Sequence, residues 1–129
     1  MNYEQARAYA VNVSRSGSIL GLDSIENLMH ELGDIQERLK IIHIAGTNGK
    51  GSTGAYLERV LIEAGYRVGR YSSPAVFDPM EVWRINLQSM SHEEYADIME
   101  QVKCACDRMV EKGMEHPTIF EVETAMAFL

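Results

Sequence analysis

The segment Gly46-Thr47-Asn48-Gly49-Lys50-Gly51-Ser52-Thr53 decides how the rest of the 129-residue chain is read. Before it, Lys40-Ile41-Ile42-His43-Ile44-Ala45 is a short apolar, β-branched run without alternation, the pattern of a strand buried on both faces of a parallel sheet. His43 within that run is expected as a packed core residue. After it, Tyr56, Leu57, Val60, Leu61 and Ala64 recur at helical spacing, with Gly65 as the stop. Arg67 to Tyr71 then reads as a second strand. Strand, glycine-rich turn, helix and strand make a βαβ unit with a right-handed crossover. The fold class expected is therefore α/β, a phosphate-loop parallel sheet flanked by helices.

A phosphate chain needs inward-pointing backbone N–H groups, the positive end of a helix dipole and a mobile cation. The segment 46–53 supplies all three. Glycines let the backbone approach the phosphate oxygens, and Lys50 is placed to reach the β- and γ-phosphates. The residues singled out for nucleotide binding are thus Gly46, Thr47, Asn48, Gly49, Lys50, Gly51, Ser52 and Thr53, with Lys50 as the catalytic cation. The competing reading is a plain strand-to-helix turn with an exposed lysine. One departure from the common pattern carries a consequence. A Ser or Thr usually follows the lysine and offers its hydroxyl to magnesium, whereas here Gly51 follows and the hydroxyl comes later, on Ser52. Protein ligands for a metal should then come in part from elsewhere in the chain.

Working outward, Tyr3, Ala6, Ala10 and Val13 mark one helix, and Ile25, Leu28, Met29 and Leu32 a second, started near Asp23 and Glu26 and stopped at Gly33. The loop Ser16 to Leu22 lies between them. Beyond Tyr71 a loop carries Pro74 and Pro79, and residues 82–87 read as a short extended segment. Ser91 and Glu94 form a capping box for a long helix whose seam is Tyr95, Ile98, Met99, Val102, Cys106, Met109 and Val110, ended by Gly113. A last helix opens after Pro117-Thr118, where Thr118 and Glu121 have capping-box spacing. It runs apolar to Leu129 without a stop signal, which leads us to expect a segment of a larger domain.

The bulk numbers exclude several classes. A formal charge of −7 leaves no cationic footprint for nucleic acid. No apolar run approaches membrane-spanning length and no export signal is visible, so neither partner is expected and the default address is cytoplasmic. Cys104 and Cys106 sit about 200° apart on a helix and cannot together grip a metal, and the four histidines are scattered.

The string His43 to Thr53, HIAGTNGKGST, with the lead-in Arg38 to Ile42, closely resembles the folylpolyglutamate synthase and dihydrofolate synthase family, relatives of the bacterial Mur ligases. Glycine after the lysine is characteristic of the folate branch. The resemblance continues through Ser73-Pro74-Ala75-Val76, Glu81 to Ile85 and Phe120 to Phe128. Ala75 stands where the family commonly has histidine, and Val82 where it has arginine. What the resemblance implies is an ATP- and Mg²⁺-dependent ligase that joins L-glutamate to dihydropteroate or a folate through an acyl phosphate, usually as a monomer. It also implies Ser73 and Glu121 as magnesium ligands, with a further histidine beyond this chain. Residues 1–129 would form the amino-terminal portion of the ATP-binding domain, without the glutamate-binding carboxyl-terminal domain. For Glu121 the alternative stays open that its carboxylate caps the last helix. For the whole chain, the alternative is a non-catalytic nucleotide-binding module.

Overall fold

The computed structural model describes residues 1–17 and 20–129; Ser18 and Ile19 of the expected first loop lie outside the described residues. The chain divides into two compact units, one formed by Met1–Leu39 with His92–Leu129, the other by Lys40–Ser91.

The first unit is helical. It contains α1 (Tyr3–Ser14), α2 (Asp23–Glu31), α4 (His92–Glu111) and α5 (Ile119–Phe128). A short 3₁₀ turn, Ile35–Arg38, follows α2. Each helix buries the stripe its spacing dictates. Ala6, Ala10 and Val13 come from α1, Leu28 and Met29 from α2, and Val122, Ala125 and Met126 from α5. Tyr95, Met99, Val102, Cys106 and Met109 of α4 form the central seam, against which α1, α2 and α5 all pack. Met99 and Val102 are fully buried, each worth roughly 1.5–3 kcal/mol of apolar transfer. Two expected seam positions fall short: Ile98 is half-buried and Val110 is largely exposed. Ala105 and Ala96 take their places in the interior. α1 starts with a capping box that the sequence reading did not name: Asn2 Oδ1 accepts from the Gln5 amide at 2.8 Å, and Gln5 Oε1 accepts from the Asn2 amide at 2.9 Å. Gly33 ends α2 in the left-handed region, φ 85°.

The second unit departs from expectation. It holds α3 (Lys50–Glu63) and three short strands, β1 (Gly69–Tyr71), β2 (Trp83–Ile85) and β3 (Gln88–Ser89), in the order β1-β2-β3. Both pairings are antiparallel. Residues 40–45 form no strand, Ile41 and Ile42 are exposed, and so is His43, which is not a core residue here. No parallel βαβ pairing occurs among the described residues. The reason is physical: a strand of this composition holds its shape through neighbours on both edges and both faces, and the described residues place none beside 40–45. The apolar stripe read on α3 is only partly covered for the same reason, with Leu57 and Leu61 half-buried. Tyr56 and Val60 face solvent, while Gly54 and Glu58 are the buried positions of that helix. β2 and β3 are joined through Asn86 and Leu87, both at positive φ (47° and 70°), as a two-residue hairpin turn requires.

Candidate functional site

The phosphate-loop segment folds as a turn feeding directly into α3. Gly49 is the residue before the helix, at φ 79° and ψ 4°, a left-handed conformation that glycine adopts without penalty. No side chain caps this end and no acid sits in the first turn. The amides of Lys50, Gly51 and Ser52 therefore lie at the open amino terminus of a helix, where their natural acceptor is an anion. The first intrahelical bond is Thr53 N to Gly49 O at 2.9 Å. The Lys50 ammonium folds back over the loop, donating to the Gly46 carbonyl and, at 3.5 Å, to the Thr47 carbonyl. Its contacts are neutral oxygens, so its charge is not cancelled within the loop. Residues 46–53 are exposed throughout. The structure thus gathers all eight sequence-assigned nucleotide residues into one exposed, uncapped, cationic turn.

Beneath this turn lies a cluster the sequence reading missed. Glu58 of α3, only 2 % exposed, accepts from Arg70 Nη1 at 3.1 Å and Arg84 Nη2 at 2.9 Å, both through Oε2. Arg70 Nη2 also donates to the Gly51 carbonyl at 2.9 Å. The legible signal was Glu58 interrupting an apolar helical stripe, with two arginines on neighbouring short strands.

Ser73 is exposed in the bend after β1. That bend is pinned by Ser72 N donating to Val82 O at 2.9 Å and by the Glu81 carboxylate, which accepts from the amides of Val76 and, at 3.0 Å, Phe77. These amide donors hold the Glu81 carboxyl below its ordinary range. Val82, noted in the sequence as a departure, is buried beside Met80 and Trp83 and serves packing.

Glu121 belongs to the other unit and is occupied. Its Oε2 accepts from the Thr118 amide at 2.7 Å and the Thr118 hydroxyl at 3.1 Å, completing a capping box on α5. Among the described residues no group of three or more His, Cys, Asp or Glu side chains is disposed to hold a metal. His116 bonds Tyr9 Oη at 2.8 Å, His30 bonds Asp34 at 2.9 Å and His92 stacks on Tyr3, all structural roles. The two cysteines are free, Cys106 buried and Cys104 exposed, and burial raises the Cys106 thiol to about 11.

Within the helical unit a cavity of about 310 Å³ is lined by Leu20, Asp23 and Ser24 of the first loop and helix start, with Asn27, Met109 and Glu121 among its other walls. No described helix is long and apolar enough to cross a membrane.

No protein-family model matches the chain. Individual relatives do. The dihydrofolate synthase/folylpolyglutamate synthase of Bacillus subtilis is 36% identical over 127 residues, covering 98% of this chain and 30% of the relative. The crystal structure of folylpolyglutamate synthase from Thermotoga maritima superposes with a TM-score of 0.87 at 35% identity, over 98% of this chain and 29% of that one. A bifunctional folylpolyglutamate synthase/dihydrofolate synthase solved with Mn, AMPPNP and L-glutamate bound matches at 32% identity and a TM-score of 0.82, over 99% of this chain and 29% of that one. Another solved relative is a complex with AMPPCP and folate. The chain spans about 30% of the length of these relatives. These likenesses bear out the α/β class, since the chain corresponds to one incomplete α/β portion of those structures.

Proposed function

We propose, from the premise that the chain belongs to the folylpolyglutamate and dihydrofolate synthase family as an amino-terminal segment, that residues 46–53 bind the triphosphate of ATP in an ATP-dependent ligase. The observation that carries this reading is the uncapped start of α3 with the Lys50 ammonium resting only on loop carbonyls. A triphosphate replaces those carbonyls as a stronger, charged acceptor. Relatives holding AMPPNP and AMPPCP support the nucleotide, and those holding L-glutamate and folate support the other two substrates.

In the proposed reaction the carboxylate of dihydropteroate, or of a folate's terminal glutamate, attacks the γ-phosphorus of ATP and ADP leaves. The amine of L-glutamate then displaces phosphate from the acyl phosphate and forms the amide. Such chemistry depends on positioning and charge neutralisation. Lys50 and the amides of Lys50 to Ser52 supply both to the phosphoryl oxygens.

The relative with bound manganese supports a divalent ion beside the nucleotide. The ligand pair expected here does not fit that ion as it stands. Ser73 presents an exposed hydroxyl, but the Glu121 carboxylate is committed to the Thr118 cap and reaches a metal only by leaving it. We therefore assign no step to magnesium within this segment.

We further propose that residues 1–129 form part of the ATP-binding domain, act in the cytoplasm and have negligible ligase activity alone. The decisive experiment is Lys50→Ala in the longest natural chain that carries this segment. Glutamate incorporation should fall below detection while the circular dichroism spectrum is unchanged. Near-normal turnover would sink the phosphate-loop assignment. ATP binding without any ligation in that chain would favour the non-catalytic module instead.

A further inference from the structure

We propose that Arg70 is a positioning residue for the phosphate loop, acting through the Gly51–Ser52 peptide group. The inference rests on the phosphate-loop reading and extends it to a residue outside the loop.

Arg70 and Arg84 are direct cross-strand partners in the β1–β2 register. Like charges opposite one another on a sheet repel. Here both guanidinium groups turn onto one carboxylate, Glu58 Oε2, which α3 delivers from its buried face. Two cations on one anion leave one positive charge over, and the surplus lies next to the amino end of α3. A helix dipole disfavours a cation at that end. The arrangement is stabilised by Glu58, and a bound polyanion would stabilise it further.

The second bond of Arg70 gives that charge a direction. Its Nη2 donates to the Gly51 carbonyl at 2.9 Å. The peptide unit is planar, so the Gly51 C=O and the Ser52 N–H are fixed antiparallel on one rigid plate. Holding the carbonyl therefore aims the Ser52 N–H, one of the helix-start donors, away from the arginine. Donation to the carbonyl also polarises the plate and strengthens its N–H as a donor. Gly54 makes the approach possible: a Cβ there would stand 3.2 Å from Arg70 Nε and 3.3 Å from Cζ and Nη2. Glycine in the interior of a helix costs stability relative to alanine, and the space it leaves is filled by the guanidinium.

The test compares ATP affinity by calorimetry, and urea unfolding midpoints, for the longest natural chain carrying this segment and four variants: Lys50→Ala, Arg70→Met, Arg70→Lys and Gly54→Ala. Arg70→Met should weaken ATP about tenfold, through loss of the nearby positive charge and of the hold that aims the Ser52 N–H. Arg70→Lys should recover part of that loss, keeping the charge without the two-pronged fork. Gly54→Ala is the discriminating variant, and it remains informative should Arg70→Met fail to fold. It favours the helix but presses on the guanidinium, which must give by a few tenths of an ångström, so its several-fold loss of ATP affinity should exceed what any change in its unfolding midpoint accounts for. A purely structural role predicts affinity that follows stability, and Gly54→Ala binding ATP as tightly as the parent would overturn the proposal. If Lys50→Ala weakens ATP and Arg70→Met does not, this inference fails alone. Failure of the parent protein to bind ATP removes the phosphate-loop reading and this inference with it.

Discussion

Glu121 is where two readings of one carboxylate meet, and substituting it separates them. In the structure its Oε2 takes two donors, the Thr118 amide at 2.7 Å and the Thr118 hydroxyl at 3.1 Å, at a site only 7 % exposed. Glu121→Ala leaves the Thr118 N–H buried without an acceptor and removes a negative charge from the first turn of α5. An unsatisfied buried donor costs about 1–3 kcal/mol, and the lost dipole interaction about 0.3–1 kcal/mol. The sum, about 1.3–4 kcal/mol, corresponds to a melting point lowered by roughly 5–15 °C for a chain of this size. Glu121→Gln keeps a carbonyl oxygen in the same place, since glutamine serves the capping box as well as glutamate does. Its cost should be about 0.5–1 kcal/mol, chiefly the charge. Thermal and urea unfolding of the chain measure both. The ligation assay, run against magnesium concentration in the longest natural chain, supplies the second axis. The capping account expects Glu121→Gln to keep the parent's magnesium requirement. A Glu121→Gln protein that melts like the parent yet needs about tenfold or more magnesium would refute it, because losses of that size attend damage to a metal's ligand shell.

Other outcomes follow from the same structure. Met99→Ala, at a position with no exposed surface where α4 meets its neighbours, should destabilise the helical unit by about 2–5 kcal/mol in urea unfolding. Leu87→Gly should stabilise the β2–β3 turn by about 1 kcal/mol, since leucine sits there at φ 70° where only glycine is free of steric cost. Burial raises the carboxyl of Glu123 above its ordinary 4.5. Such a group favours the fold when protonated, a contribution complete below 4.5 and lost as pH rises through the raised value. Glu123→Gln should therefore melt higher than the parent at pH 7 and no higher at pH 4, as differential scanning calorimetry at the two pH values would show.

The helical unit was largely legible because its information is local. Tyr95, Met99, Val102, Cys106 and Met109 recur at the helical period, and the period alone places them on one buried face. The Thr118–Glu121 box was legible because a cap is written within four residues. Asn2 and Gln5 carry the same kind of signal and went unread. The 40–45 strand failed for the opposite reason: its β-branched composition states a need for neighbours, and composition cannot supply them. Residues 82–87 were legible as extended, but the antiparallel pairing of Trp83–Ile85 with Gly69–Tyr71 is set by contacts across a loop, which local composition does not record. In the phosphate loop the glycines and Lys50 were read from spacing. The hold of Arg70 on Gly51 could not be, since it links residues 19 apart through side-chain geometry.

The helical unit is discontinuous in sequence: 40–91 is inserted between its two halves. This has a kinetic consequence. α1 and α2 emerge from the ribosome first, but the seam they pack against lies on α4, so their apolar stripes wait for roughly fifty further residues. At about 5–20 residues per second that delay is several seconds, far longer than the microsecond closure of a helix. Bringing the two halves together around such a loop costs about 3.5 kcal/mol of closure entropy if the insert is unstructured. An insert that has already folded brings its own ends to a fixed separation and removes much of that cost. The order of events during synthesis should then run from the middle outward, with 40–91 folding before α4 closes the helical unit.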